Sequence, residues 1–400
     1  MGVSALCQEM KILYVCSADL SGEYGSIGSV RHIMEVSENL LELGHDLVLL
    51  APRFRKKYQD ITNLRITYVP LIPLRFLRTI SYELIAPLFI LYFLLAFRPD
   101  IVYWRQAYWT VAPVLLAKFF RKKIIVEVNG VTLEEVETEP LHWLRKKTIL
   151  AFESFNYRNA SHLIVVAPRI KEILLRTYGL NSAKVTPMLN GVNTSRMKPL
   201  PQREVKKKLG ISPDCEVVGF VGYLFPWSGI EILIDAAPLI KREIPNTKFL
   251  VIGHGIWGEG LPALARSKGV EKDFMFTGKI SWTSLPIYLN TFDIGVAPYT
   301  KEIHNKSGSS LKILEYFACG KPVVTTDTDS IPEVVTIKEN GLGIAVPPED
   351  AGALAEAIVK LLKDKVLLQM IGMRCRSYVE KKRSWRKVAE KTSELMREVY

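Results

Sequence analysis

Ser307-Gly308-Ser309-Ser310-Leu311-Lys312-Ile313-Leu314-Glu315-Tyr316-Phe317-Ala318-Cys319-Gly320-Lys321-Pro322-Val323-Val324-Thr325-Thr326-Asp327 is the stretch from which the fold is read. Small polar residues lead into a helix-forming run, Gly320 stops it, and Pro322 opens a β-branched strand. A helix that starts on Gly and Ser exposes unpaired backbone N–H groups at the positive end of its dipole, a seat for phosphate oxygens. Glu315 follows about one and a half turns on, placed to accept hydrogen bonds from a hydroxylated group, such as a ribose, joined to those phosphates. The plainer reading, an ordinary helix start with an exposed carboxylate, fits this stretch taken alone equally well.

Outward from that stretch, strand-like runs alternate with helix-like runs, the pattern of doubly wound α/β domains. In the first half the strands read Lys11–Cys16, Asp46–Ala51, Leu64–Val69, Ile101–Trp104, Ile124–Val128, His162–Val166 and Lys184–Pro187. Met197-Lys198-Pro199-Leu200-Pro201 breaks both periods and reads as a linker. The pattern restarts at Glu216–Val221 and runs through Lys248–Ile252, Phe274–Thr277, Ile294–Ala297, Pro322–Thr326 and Gly343–Val346, with a long helix from about Ser384. Two similar units in series imply two Rossmann-like domains, whose strand C-termini supply binding crevices.

Composition narrows the class. The chain has 400 residues, 48% hydrophobic and 24% charged, enough for two domains that each bury a core. Five scattered cysteines without C-x-x-C argue for a reducing compartment and against disulfides or zinc, and the six histidines form no ligand-spaced cluster. Net charge is +12, with 25 Lys+Arg against 17 Asp+Glu in residues 1–200 and 28 against 24 in residues 201–400. A basic first half faces anionic lipid, a phosphorylated acceptor or simply solvent. RNA-binding signatures are missing, so nucleic acid is set aside. The opening residues form neither a secretory signal nor a myristoylation site. Thr79 to Phe97 is mostly apolar, with Glu83 and Pro87 inside. Its place between two strand-like runs predicts a crossover helix; a helix that also dips into a bilayer surface, and a membrane span, are the other two readings.

The quoted stretch resembles the C-terminal signature of family 4 glycosyltransferases, an E-x7-E pattern ending in E-A-x-A-x-G-x-P-V-V. Glu315 matches the second glutamate, while the first falls on Ser307, as in the variant form S-P-L-K-x-x-E-Y-x-A-x-G-K-P-V-V, with Ser310 in the proline's place. The resemblance runs along nearly the whole chain. Gly28-Ser29-Val30-Arg31-His32 and Gly44-His45-Asp46 look like the family's G-x-x-R-H and G-H-E segments, and Asn190-Gly191-Val192-Asn193 like its P-N-G-V-D turn. Gly253-His254-Gly255, Gly278-Lys279-Ile280, Ile331-Pro332-Glu333-Val334-Val335 and Asn340-Gly341 complete the series.

That resemblance implies the GT-B fold: two facing Rossmann-like, doubly wound domains with a cleft between them. It implies an acceptor-binding domain over 1–198, a nucleotide-sugar-binding domain over 199–380, and a helix at 381–400 returning to the first. The implied reaction is retaining transfer of a sugar from a nucleoside-diphosphate sugar to an acceptor hydroxyl, without a metal or other cofactor. The donor site would comprise Gly28, Gly222, Tyr223, Ser228, Gly253, Gly255, Gly278, Ile280, Ser307, Ser309, Ser310, Leu311 and Glu315. Amides at Ser309 and Ser310 would meet the diphosphate, and Glu315 the ribose. Asn129, Lys312 and Glu315 are the catalytic candidates, and the partners a glycan or lipid-linked acceptor and an anionic membrane surface, in the cytoplasm or on the inner face of the membrane.

Two departures from the family pattern stand out, beside one look-alike motif. Gly222-Tyr223-Leu224-Phe225-Pro226-Trp227-Ser228-Gly229 places Tyr223 and Ser228 where the family carries an Arg and a Lys on the diphosphate. Lys312, with His304 or Lys306 behind it, is then the candidate cation. Asn129 stands where a histidine is common. Asp327-Thr328-Asp329 imitates the D-x-D metal motif of the other glycosyltransferase fold, but follows a late strand of the second domain. A nucleotide-sugar-binding protein with little or no transferase activity, and a sugar-nucleotide epimerase of the same architecture, stay open as alternatives. A dinucleotide-dependent dehydrogenase lacks its G-x-G-x-x-G after the first strand.

Overall fold

The computed structural model describes residues 9–21, 27–54, 63–72, 77–107, 110–132, 142–306 and 308–400. It divides into two units, Met1–Asn190 with Trp385–Tyr400, and Gly191–Ser384. Ser307 lies outside the described residues.

In the first unit, strands β1 (Lys11–Val15), β2 (Asp46–Pro52), β3 (Arg65–Val69), β4 (Ile101–Arg105), β5 (Lys123–Val128), β6 (His162–Val165) and β7 (Val185–Pro187) form one sheet in the order β3-β2-β1-β4-β5-β6-β7. Every pairing is parallel, Ile12 lying opposite Leu47 on one side and Ile101 on the other. Parallel neighbours need crossovers that cover both faces, which is why β1, β2 and β4 read as unbroken buried apolar runs rather than alternating ones. The second unit repeats the plan with β8 (Glu216–Val221), β9 (Thr247–Ile252), β10 (Phe274–Gly278), β11 (Ile294–Ala297), β12 (Val323–Thr326) and β13 (Gly343–Val346), ordered β10-β9-β8-β11-β12-β13. Strand order reverses at β1/β4 and at β8/β11, and crevices outside the carboxyl ends of such strands are where ligands bind.

The apolar segment of the first unit is the helix Leu77–Ala96, connecting β3 to β4. Tyr82, Ala86, Ile90 and Leu94 repeat at helical spacing and bury one face against the sheet, so this is a crossover. Among the described residues no helix is long and apolar enough to cross a membrane, which removes the spanning reading.

The chain leaves the second unit at Ser384 and finishes as the helix Trp385–Val399 against Ile27–Glu42 of the first. His45 pins it. Its Nδ1 accepts the Met10 amide at 3.2 Å at the mouth of β1, and its Nε2 donates to Ser393 Oγ at 2.7 Å on the last helix. Trp385 packs edge-on against His32, with ring centroids 5.1 Å apart.

Burial, then the nearby Arg397 charge, holds the His45 pKa below its ordinary value. A lowered folded pKa means that His45 contributes stability above the unfolded-state value of about 6.5 and withdraws it as pH falls below that. His45→Ala is expected to lower stability by ~1–3 kcal/mol at neutral pH, by orphaning the Met10 amide. Chemical denaturation at several pH values should show the parent and the variant converging below about pH 6.

Candidate functional site

In the second unit, glycine backbones interlock at the carboxyl ends of β8, β9 and β10. Gly222 N–H donates to Ile252 O at 2.9 Å, Gly253 N–H to Gly278 O at 3.0 Å, and Leu224 N–H to His254 O at 2.9 Å. Gly253 sits at φ +139°, and a Cβ there would fall 1.8 Å from Gly222 O; one on Gly255 would fall 2.3 Å from Leu224 O. No side chain fits between these loops, so the three strand ends form a floor of main chain.

Lys312 reaches that floor from the first turn of the helix Leu311–Ala318. A Cβ added to Gly222 would meet its Nζ at 2.9 Å, so glycine at 222 leaves the space the ammonium occupies. The ammonium lies 4.2 Å from the Phe220 ring centroid and 5.3 Å from that of Tyr299, and has no hydrogen-bond acceptor among the described residues. Burial pushes its pKa down to about 7, against the opposing pull of Glu315. Glu315 follows one turn later, is itself buried, and lies close enough for its charge to act on Lys312.

The turn that launches this helix hangs on Glu333, a fully buried carboxylate. Ser310 N–H donates to its Oε2 at 2.7 Å, Ser309 Oγ to its Oε1 at 2.9 Å, and Arg383 Nη2 to Oε1 at 2.6 Å. This corrects the sequence expectation that the Ser310 amide faces a ligand: a buried carboxylate already holds it. The N–H groups of Leu311 and Lys312 take no partner among the described residues, so open donors continue past Ser310 into the first turn of the helix. The Ser310 hydroxyl is likewise occupied, 2.7 Å from Tyr299 OH.

Ser228 turns inward rather than replacing the missing Lys. Its Oγ donates to Tyr223 O at 3.1 Å and accepts Phe225 N–H at 3.0 Å, closing the loop after β8. Tyr223 packs on Phe225 and edge-on to His254, and Phe225 stacks on Trp227. Lys306 covers the Trp227 ring at 4.9 Å, and His304 Nδ1 faces Thr328 Oγ1 at 3.1 Å. The Ile280 side chain packs on the core. Asp327 and Asp329 both lie 2.8 Å from Lys338 Nζ, and among the described residues no group of three or more His, Cys, Asp or Glu could hold a metal.

The first unit has its own buried carboxylate, Glu127, at the end of β5. Oε1 accepts Arg105 Nη1 at 2.5 Å and Asn129 Nδ2 at 2.6 Å; Oε2 accepts the Tyr103 hydroxyl and faces His32 Nε2 at 3.1 Å. Burial would raise its pKa, but His32 and Arg105 and the donated hydrogen bonds outweigh burial and hold it well below the usual carboxylate range. Asn129 therefore commits one amide N–H to Glu127, and its carbonyl oxygen and second N–H remain to meet a ligand. Arg105 Nη2 also reaches Ser29 Oγ at 3.3 Å, tying the turn that holds Gly28 to the same cluster.

Sequence reasoning missed the work of Glu127, Arg105 and Arg383, and took Glu333 only as part of a motif. The one sequence signal was a charged residue closing or following an apolar run, as at Arg105.

Comparison with known proteins assigns both units. Residues 27–196 match the family model "Glycosyltransferase Family 4", and residues 215–364 match "Glycosyl transferases group 1". Both domains are thus glycosyltransferase domains. The chain is 28% identical over 211 residues to the GDP-mannose-dependent alpha-(1-6)-phosphatidylinositol monomannoside mannosyltransferase of Mycobacterium tuberculosis, covering 52% of this chain and 54% of that one. It spans about half the length of this curated relative. Sucrose-phosphate synthase from Thermosynechococcus elongatus superposes with a TM-score of 0.75 at 19% identity, over 97% of this chain and 99% of that one. Anabaena HepE, solved in complex with UDP-glucose, gives 0.73 at 17% identity, over 98% and 100%. The fold is GT-B.

Removing the Glu333 carboxylate should release the serine turn. Glu333→Ala is expected to cost ~3–5 kcal/mol, by leaving the buried Arg383 guanidinium without its anion, with Glu333→Gln recovering part of it. Urea denaturation of the two variants beside the parent checks both values.

Proposed function

We propose that the chain is a retaining glycosyltransferase that moves a sugar from a nucleoside-diphosphate sugar to an acceptor hydroxyl, in glycolipid, glycan or cell-surface polysaccharide synthesis. The observation that carries this reading is the pair of amides at Leu311 and Lys312, which together with the Lys312 ammonium take no hydrogen-bond partner among the described residues, in a unit matched as a glycosyltransferase domain. In this reading the second unit binds the donor and the first presents the acceptor. The quoted stretch is the variant signature S-x-L-K-x-x-E-Y, with its cation moved from the loop after β8 to position 312. The enzyme works in the cytoplasm at the inner face of the membrane.

The chemistry follows from charge. The bond from the anomeric carbon to the diphosphate breaks, the bond to the acceptor oxygen forms on the same face, and the acceptor proton passes to the departing phosphate oxygen. The diphosphate gains negative charge as it leaves. Amides that already point at that position stabilise it without reorganising, commonly the largest single contribution to such catalysis. Lys312 adds a positive charge, and Glu315 opposes loss of its proton while reaching toward the ribose. The Asn129 carbonyl, fixed by Glu127, orients an acceptor hydroxyl. No resident metal is required in this reading, and the pairing of Asp327 and Asp329 with Lys338 supports it.

A thermal-shift panel of UDP-, GDP- and ADP-sugars, followed by product analysis with the best binder, tests the reading. A donor that raises Tm and yields an α- or β-linked product of unchanged anomeric configuration is expected. An epimer formed from donor alone would replace transfer with epimerisation, and tight donor binding without turnover on any acceptor would make the chain a binding protein.

Lys312 gives a pH signature. In the free protein its charge is present below about pH 7 and absent above it. Donor binding restores the proton, so donor Kd should weaken by up to ~tenfold per pH unit above that point. Lys312→Met is expected to flatten this dependence and to lower kcat by ~10²-fold, the usual loss for one group on a developing oxyanion. Calorimetric titration of the nucleoside diphosphate into both proteins from about pH 6 to pH 9 reads the difference.

A further inference from the structure

A buried carboxylate that the mechanism above leaves idle gathers the residues that follow β4 and β5. Glu153, 3% exposed, stands on the helix His142–Asn159. Its Oε1 accepts Gln106 Nε2 at 2.8 Å and Thr132 Oγ1 at 2.6 Å, and its Oε2 accepts the Tyr178 hydroxyl. Gln106 Oε1 in turn accepts the Tyr157 hydroxyl at 2.6 Å. Burial, then the Glu153 charge, raises the pKa of both tyrosines and keeps them as donors. Glu127 and Glu333 each hold an arginine, whereas Glu153 has no ion pair among the described residues. Buried glutamates are almost always paired with a cation, so this one marks more than packing.

Its effect is to fix which atoms face outward. Gln106 follows β4, while Asn129 and Thr132 follow the paired strand β5, and Gln106 N–H bonds Glu127 O at 3.1 Å. A carboxylate only accepts, so it settles the orientation of each partner. Thr132 spends its hydroxyl hydrogen on Glu153 and keeps lone pairs. Gln106 spends its oxygen and one N–H, and keeps the other N–H. Asn129, turned by Glu127, keeps its oxygen and one N–H. The three side chains thus mix acceptors with donors, and the guanidinium of Arg105 beside them is balanced by Glu127.

A hydroxyl group both donates and accepts, and meets such an array completely. An ionised phosphate only accepts, and would set its oxygens against the Thr132 and Asn129 lone pairs with the Glu153 charge behind them. An ammonium only donates, and would leave the Gln106 N–H unmet. We propose that Gln106, Asn129 and Thr132 select an acceptor that presents neutral hydroxyls at this point, a sugar or polyol ring free of phosphate and amine. Glu153 is the positioning residue that sets their polarity. The assignment rests on the reading above, in which the first unit presents the acceptor, and narrows it, since the basic first half left a phosphorylated acceptor open.

Saturation-transfer NMR on the full chain, with the best-binding nucleoside diphosphate present, tests the assignment. The probes are the methyl α-glycosides of glucose, mannose and galactose, beside their 6-phosphates and their 2-amino counterparts. At least one neutral glycoside is expected to bind at least ~tenfold more tightly than both of its charged counterparts. Thr132→Val should weaken that binding about three- to tenfold, the loss for one hydrogen bond, and Thr132→Ser should restore it. Glu153→Gln, which hands Thr132 back its hydrogen, should raise the acceptor KM by a similar factor and leave kcat and the donor-induced thermal shift little changed. Should that variant fail to fold, Gln106→Leu replaces it, with the same rise in KM expected. Absence of binding by every neutral glycoside, equal or tighter binding of a phosphate or an amine, or parent affinity in Thr132→Val would overturn the proposal. Transfer from the best donor to the same glycosides is assayed in parallel. A neutral glycoside that binds in this pattern and is never glycosylated keeps the hydroxyl-selective site and sinks the transferase reading instead.

Discussion

A helix that begins at the carboxyl edge of a parallel sheet starts with amides that have nothing to bond, and in the second unit two of them, at Leu311 and Lys312, take no partner among the described residues. The Ser310 amide is drawn into the protein, where Glu333 takes it together with the Ser309 hydroxyl and Arg383. With the turn fixed this way, Leu311 and Lys312 carry the open N–H groups, and the Lys312 side chain lies beside the glycine floor of β8, β9 and β10. Anchoring three residues with one carboxylate is costly to disrupt, because its loss would remove the anion that a buried guanidinium is paired with. The same anchor sets where negative charge can be received.

The first unit uses a similar device. Glu127 and Glu333 share no sequence context, yet each is a buried carboxylate near a strand end or helix start, each holds an arginine, and each binds a group adjacent to a ligand candidate. At Glu127 burial alone would favour the neutral acid, and the neighbouring cations and donated hydrogen bonds keep the charge. Such clusters make a site rigid before ligand arrives, which is how fixed dipoles gain their catalytic value.

The fold was legible because parallel strands bury both faces. Runs such as Ile124–Val128 and Ile294–Ala297 leave no alternative period to weigh, and each strand read from sequence lies within one residue of its observed ends. The crossover at Leu77–Ala96 followed from its position between two such runs, although its composition alone pointed equally to a membrane. The site was legible at the level of backbone: Gly222, Gly253, Gly278 and the helix start at Leu311 lie where the motifs put them. It was not legible at the level of partners. Ser310 to Glu333, Ser29 to Arg105 and Glu127 to His32 are contacts between residues far apart in the chain, decided by how strands order themselves in the sheet. Ser228 shows the same limit, since only its neighbours reveal that the hydroxyl faces its own loop.

The most direct measurement is a crystal structure with the best-binding nucleoside diphosphate. The expected result places diphosphate oxygens within hydrogen-bonding distance of the Leu311 and Lys312 amides and of the Lys312 ammonium, with the Glu333 anchor unchanged. A diphosphate held elsewhere, with those two amides facing solvent and the lysine still folded over Phe220, would contradict it.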